Sequence, residues 1–216
     1  MRTPYRTVDE VMPELQRQIS KTFNKSRMGL KFDELNVIST FDAVGDLYER
    51  LQKLNQKRYL KIAKEAYSDA YDEAKAAGFT EGKKQVPAAA FVLALLADYN
   101  YVSKYVYDQE IDRKRARLAE AIVADAQRGI KQEMIRDYRR AESLWRKQTR
   151  QYALTVEDAA VLKAFKDVGV KRVRWITADD EKVCGACNSR DGKTYAIDKV
   201  PPKPHYLCRC YLTFVE

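Results

Sequence analysis

Apolar positions recur along most of this chain at steps of three and four residues, the spacing that keeps side chains on one face of a helix. Leu15, Ile19 and Phe23 form the first such stripe. Thr7 and Glu10 are spaced as a capping box, but a helix opening there would carry Pro13 in its interior, where the missing amide breaks the hydrogen-bond ladder. The first helix is therefore predicted to open with Pro13 at its first position. A second stripe runs from Phe41 through Val44, Leu47, Leu51 and Leu54 to Ala63, Tyr67, Ala70, Tyr71 and Ala74, and predicts one long helix ending at Gly78. A third helix is expected to open at Pro87 and continue through residues 91–108, with an apolar side wide enough to be buried nearly all round and tyrosines that serve as core filler.

From Ile111 to Arg150 the positions Leu118, Ile122, Ala126, Ile130, Met134, Tyr138, Ala141 and Trp145 line one face, which predicts another long helix. Thr155 and Asp158 read as an N-cap pair opening a short helix through Val161, Leu162 and Phe165 that stops at Gly169. There the period changes to two. Val173 and Trp175 alternate with Arg172 and Arg174, and Tyr211–Val215 is equally suited to a strand. Asp191-Gly192 is a turn signal, so Lys193–Tyr195 is expected to return as a short strand. The boundary between a body, residues 1–168, and a small module, residues 169–216, falls at Gly169.

Composition changes the picture in two ways. Of 216 residues 33% are charged, and the formal net charge is +9, so polyanions should be attracted. Much of the excess lies on the 111–150 helix, where Arg128, Lys131, Arg136, Arg139, Arg140, Arg146 and Lys147 stand off the apolar face. That surface is either a solvated helix with scattered ion pairs or a polybasic face for DNA or an acidic partner, and charge alone does not separate the two. The start of the chain shows no secretory h-region, which predicts synthesis in the cytoplasm. The longest apolar run, residues 86–97, is far shorter than the roughly 20 residues that span a bilayer, so no membrane span is expected.

The second change concerns the cysteines. All 4 lie near the end of the chain with the single histidine: Cys184, Cys187, His205, Cys208 and Cys210. A Cys-x-x-Cys turn with the small residues Gly185 and Ala186 between its thiols curls round a cation, and a second ligand pair must face it. His205 and Cys208, three residues apart after a proline-stiffened approach, supply that pair, and Cys210 is placed to replace either of them. Zinc held by four of these five residues is the expected cofactor, in a structural role, because a module of about 45 residues has too little core to fold alone. The fold class is therefore α+β: a mainly helical body with long amphipathic helices and a small C-terminal zinc-binding, β-containing module.

Catalysis is the rival use of the same residues, as a metal-dependent enzyme acting on nucleic acid or peptide with Asp179, Asp180 or Asp198 as the acid. Five soft ligands in one place point instead to a closed site, and no enzymatic role is expected. A thioredoxin-like reading lacks the strand–helix setting such motifs occupy, and a histidine-dependent nuclease would need a second histidine. Disulfides among Cys184, Cys187, Cys208 and Cys210 are the alternative in an oxidising particle.

The ordered text Trp175-Ile-Thr-Ala-Asp179, Cys184-x-x-Cys187, Asp191-Gly192, Tyr195, Pro201-Pro202, His205 and Cys208-Arg-Cys210 resembles the C-terminal domain of the phage minor head, or head morphogenesis, protein family, which includes the phage Mu F-like proteins. The match is close over roughly the last 45 residues and loose over the helical body before them. Tyr206 follows the histidine where the family usually has proline, and the spacing from Pro201-Pro202 to His205 is one longer. The resemblance implies a structural minor capsid protein of a tailed phage, inside the head near the portal, aiding head assembly and DNA packaging or delivery. Its implied partners are the portal protein, the major capsid or scaffolding protein, and packaged double-stranded DNA held by non-specific electrostatics.

Overall fold

The computed structural model describes residues 3–97, 99–100, 105–178 and 183–215. The first helix, α1 (Arg6–Gly29), does not open at Pro13 but runs through it. Its start is fixed from far along the chain: the buried Glu157 carboxylate accepts the amide of Tyr5 at 2.7 Å and that of Val8 at 3.3 Å. The Val8 amide is one that an N-cap side chain would otherwise take, and the Tyr5 amide the one that a capping-box carboxylate takes. A long-range cap leaves no local signature, which is why the proline looked like the better start. The stripe Leu15, Ile19, Phe23 is fully buried, as its spacing predicts.

The second helix, α2 (Val37–Ala76), opens four residues before the predicted start. Asn36 caps it, its Oδ1 accepting the Ser39 amide at 2.9 Å while Ser39 Oγ accepts the Asn36 amide at 3.2 Å. Phe41, the predicted first core position, is 40% exposed. At the other end Phe79 N–H reaches the Ala74 carbonyl and Gly78 N–H that of Lys75, the Schellman closure the glycine predicts.

The third helix is shorter than expected: α3 (Ala89–Ala97) is followed by two short antiparallel strands, β1 (Tyr99–Asn100) and β2 (Tyr105–Val106). The predicted helix over residues 101–104 lies outside the described residues. Nor is α3 buried all round, since Val92 and Leu96 are buried while Leu93 is 49% exposed.

The predicted 111–150 helix is two helices, α4 (Tyr107–Gln127) and α5 (Lys131–Asp167). Gly129 breaks it at φ +70, with Ile130 N–H bonded to the Asp125 carbonyl and Gly129 N–H to that of Ala126. Only glycine takes that conformation without strain, so the apolar steps continued across a true helix end. Leu118, Ile122, Met134, Tyr138 and Trp145 are buried, whereas Ile130, in the turn, is 39% exposed. Nothing breaks at Thr155, whose hydroxyl donates to the Gln151 carbonyl at 3.1 Å within the continuing helix. The α5 helix ends before Gly169, as predicted.

Beyond it lie β3 (Arg172–Ile176), the single-turn α6 (Gly185–Asn188), β4 (Thr194–Ala196) and β5 (Tyr211–Phe214). The three strands make an antiparallel sheet in the order β4-β3-β5, with Val173 opposite Tyr195 and Trp175 opposite Leu212. The fold class is α+β, mainly helical with a small sheet near the end of the chain.

By contacts the chain forms two compact units, one of Met1–Glu10, Tyr59–Leu95 and Gln151–Glu216, the other of Val11–Arg58 and Leu96–Arg150. The second has its own core, in which Tyr48 meets Trp145 edge to face with centroids 5.2 Å apart and Asn55 Nδ2 donates to Thr149 Oγ1 at 3.0 Å. In the first, Phe214 of β5 stands edge to face against Phe165 of α5, centroids 5.6 Å apart, and against Phe79, 5.3 Å apart. These contacts hold the sheet against the helices of that unit. Gly82 passes over the end of α5 so closely that a Cβ there would lie 2.0 Å from the Asp167 carbonyl oxygen, at φ +87. Gly82→Ala should therefore destabilise the protein by about 1–3 kcal/mol, read from urea denaturation, through a backbone that must shift.

Candidate metal centre

The short α6 owes its place to a sulfur cap: Cys184 is in extended conformation and its Sγ accepts the Cys187 amide at 3.4 Å. One turn then carries Cys187 round to the same side, and Gly185 and Ala186, both exposed, leave the inner side of the loop to the two sulfurs. The opposing segment comes up through Pro201, Pro202 and Pro204, turns at Leu207 with φ +57, and enters β5 directly after Cys210. Its turn is pinned by Gln151 of α5, whose Oε1 accepts the Leu207 amide at 2.6 Å.

Five donors converge between the two segments. The ligand atoms of Cys184, Cys187 and His205 all lie within 4.8 Å of one another, and so do those of Cys187, Cys208 and Cys210. Cys187 belongs to both groups. Its Sγ stands 3.1 Å from His205 Nε2 and 3.6 Å from Cys208 Sγ. The edges of a tetrahedral zinc site with Zn–S near 2.3 Å and Zn–N near 2.0 Å are about 3.5–3.8 Å, so the spacing suits the ion after small movements. His205 Nδ1 lies 3.0 Å from the Tyr206 carbonyl, a bond that puts the ring proton on Nδ1 and leaves the Nε2 lone pair facing the sulfurs. All four cysteines are free thiols. The cluster therefore has the donor set and the spacing to hold a metal ion.

The surroundings are apolar. Trp175 from the middle of β3 forms a buried cluster with Cys187, Cys208 and Cys210, ringed by Val183, Tyr195, Val200 and Leu212. Arg190 lies across the indole, 5.1 Å from its centroid, and donates to the Pro202 carbonyl at 2.6 Å. Burial raises the Cys187 and Cys208 thiols above their ordinary pKa, while the Cys187 amide holds the Cys184 thiol below its own. A cation entering the site must therefore displace protons from the two buried thiols, and its own charge supplies what the apolar wall does not.

Sequence reasoning missed the polar residues that hold this segment from behind. Tyr5, 2% exposed and at φ +58, places its hydroxyl 2.7 Å from the Cys210 carbonyl and 2.7 Å from Asp158 Oδ1. Lys203 donates to Tyr5 Oη and, at 3.0 Å, to the Cys208 carbonyl, and it pairs with Asp158 at 2.5 Å. Arg209 makes a two-pronged pair with Asp9, at 2.9 and 2.7 Å. Tyr5 lies 153 positions from Asp158 and 205 from Cys210, and Asp9 lies 200 from Arg209, so nothing local marks them.

Of the acids considered for catalysis, Asp179 and Asp180 lie outside the described residues. Asp198 is exposed and paired with Lys166 at 2.5 Å. The basic residues read from the sequence divide between two elements. Arg128 follows α4 and bonds Asp125 at 2.6 Å, and Lys131 opens α5. Arg136, Arg139, Arg140 and Lys147 are exposed along α5 on the side opposite the buried Met134, Tyr138 and Trp145. Within that stripe Arg136 pairs with Glu133 at 2.8 Å and Arg140 with Asp137 at 3.4 Å. Arg146 sits at its edge, its guanidinium bonded to Gln16.

Long amphipathic helices, a small sheet and a Cys/His cluster that could hold a metal ion make up the described fold. The chain matches the family described as Phage Mu protein F like protein over residues 102–213, more than half of its 216 residues, and it belongs to that family. The matched stretch contains the basic face of α5, the sheet up to Thr213 and all five donors. No curated protein and no solved structure matches the chain. The family makes this a phage head morphogenesis protein, a structural component of the virion with capsid-related partners. No described helix is long and apolar enough to cross a membrane.

Proposed function

We propose that this protein is a minor capsid component lying inside the phage head near the portal, where it aids head assembly and the packaging or delivery of DNA. Its module, residues 169–216, is clasped by one structural zinc ion. Cys184, Cys187, His205 and Cys208 are the proposed ligands, with Cys210 placed to replace His205 or Cys208. The convergence of five soft donors on one apolar cluster carries this reading, because buried thiols gathered beside an imidazole suit a closed site better than an open one. When bound, the ion supplies positive charge and cross-links the α6 turn to the segment entering β5. The protein's own residues orient the donors and exclude water.

The partners follow from the surface and the family together. The stripe Arg136, Arg139, Arg140, Lys147 extends over about 16 Å of helix, enough to face several phosphates, and packaged double-stranded DNA is its proposed contact. Portal protein, with major capsid or scaffolding protein, is the proposed neighbour on the protein side. Binding to double-stranded DNA should be independent of sequence. Replacing Arg136, Arg139, Arg140 and Lys147 together by glutamine should flatten the slope of log K against log salt by about 3–4, measured by fluorescence anisotropy. An unchanged slope would remove the DNA assignment. Cross-linking in intact heads, followed by mass spectrometry, tests the portal contact, which fails if all cross-links go elsewhere.

A further inference from the structure

Two side chains reach backbone carbonyls of the Cys/His cluster: Tyr5, the residue before α1, that of Cys210, and Lys203 that of Cys208. Tyr5 Oη faces the Cys210 carbonyl, its single proton shared between that oxygen and Asp158 Oδ1, and Lys203 Nζ donates to the Cys208 carbonyl. The two donors are themselves joined, since Lys203 donates to Tyr5 Oη, and both reach Asp158 of α5. Tyr5 is additionally gripped by two cations over its ring, Lys203 Nζ at 4.7 Å and the Arg209 guanidinium at 5.2 Å from the centroid. Its amide is held by Glu157. The result is a buried, charged network in which one phenol and one ammonium fix both ends of the Cys208-Arg209-Cys210 tripeptide. That tripeptide must present its thiols on the same side to be useful to a metal.

We propose that Tyr5 and Lys203 are positioning residues of the metal centre, forming its outer shell, so that metal binding and the docking of residues 3–10 strengthen one another. This rests on the reading of the Cys/His cluster as a zinc site. A phenol and an ammonium directed at ligand carbonyls restrict the rotation of the peptide planes that carry the thiols, and outer-shell bonds of this kind are worth about 10–100-fold in metal affinity. Coupling is reciprocal: whatever free energy the docked first turn adds to zinc binding, zinc adds to the docking of that turn.

The test uses the full chain loaded with zinc and a competing chelator. Tyr5→Phe and Lys203→Met should each weaken zinc binding by about 10–100-fold, and Lys203→Arg, which keeps charge and donors, should recover most of the loss. Arg6→Ala serves as the control, because it removes the 2.6 Å pair with Asp69 in the same turn but touches no ligand carbonyl. It should leave zinc affinity unchanged. Cobalt substitution adds a reading that a merely structural role would not move: the visible spectrum of the Tyr5→Phe protein should shift as the thiolates are released from their fixed orientation. In the wild-type chain, removal of zinc should speed hydrogen exchange at the Tyr5 and Val8 amides, both bonded to Glu157. Zinc affinity within twofold of wild type in both variants, with exchange at these amides indifferent to zinc, would overturn the proposal while leaving the zinc site intact. A wild-type chain that takes up no zinc would overturn the zinc site and this proposal with it.

Discussion

Cys187→Ser is expected to abolish stoichiometric zinc binding, whereas Cys210→Ser is expected to retain it with reduced affinity. The difference follows from position. Cys187 is the one donor common to both groups of three, 1% exposed, with its sulfur 3.1 Å from His205 Nε2 and 3.6 Å from Cys208 Sγ. No arrangement of four ligands drawn from the five omits it without losing the α6 turn's inward-facing sulfur. Cys210 belongs to one group only. Because a metal that binds only the folded state stabilises it by mass action, free zinc at 1,000 times its dissociation constant adds about 4 kcal/mol. The Cys187→Ser protein should lose that increment. Its thermal melt should become indifferent to zinc and chelator, and its tryptophan emission should shift, because Trp175 is packed in the same buried cluster. Zinc content by mass spectrometry, with melts in either condition, checks both statements.

Trp145→Ala should cost about 3–5 kcal/mol of stability, while Trp145→Phe should cost far less. Trp145 is 2% exposed and stands edge to face with Tyr48 at an interplanar angle of 82°. Alanine removes the ring contact and leaves a large void that close-packed helices only partly collapse into. Phenylalanine keeps the contact with Tyr48. It also removes an indole N–H that is buried and has no hydrogen-bond partner among the described residues, a group whose desolvation is uncompensated in the wild type. Against a total stability of order 5–15 kcal/mol, the alanine variant should be marginal. Urea denaturation followed by circular dichroism would show this as a large fall in midpoint for alanine and a small one for phenylalanine. Equal losses would mean that the indole nitrogen is satisfied in solution.

The contrast between what could be read in advance and what could not follows the range of the interactions. Leu15, Ile19 and Phe23, the Gly78 and Gly169 helix ends, the Val173/Trp175 alternation and the Asp191-Gly192 turn are local patterns, and each is present where its spacing places it. The start of α1 was not legible because Glu157 caps it from α5 and tertiary partners of that kind have no local code, whereas the Asn36/Ser39 cap of α2 is local and the apolar stripe drew the start to Phe41 instead. Gly129 was misread for a different reason: apolar steps of four run straight across it, and periodicity outweighed a single glycine. The convergence of the five Cys/His side chains was legible because soft donors clustered around the single histidine leave few other uses. Tyr5, Lys203 and Gln151, which orient the donors from behind, were not legible, since each acts on a backbone group rather than through a recognisable motif.

The most direct test of the central claim is the metal content of the full chain, purified without chelator and measured together with its titratable thiols. The zinc proposal predicts close to one zinc per chain, with the cysteines reduced and the ligand thiols reactive only after the metal is removed. A chain without metal whose thiols are paired as disulfides would contradict it, and would mean that covalent cross-links, not an ion, hold the segment entering β5 against the α6 turn.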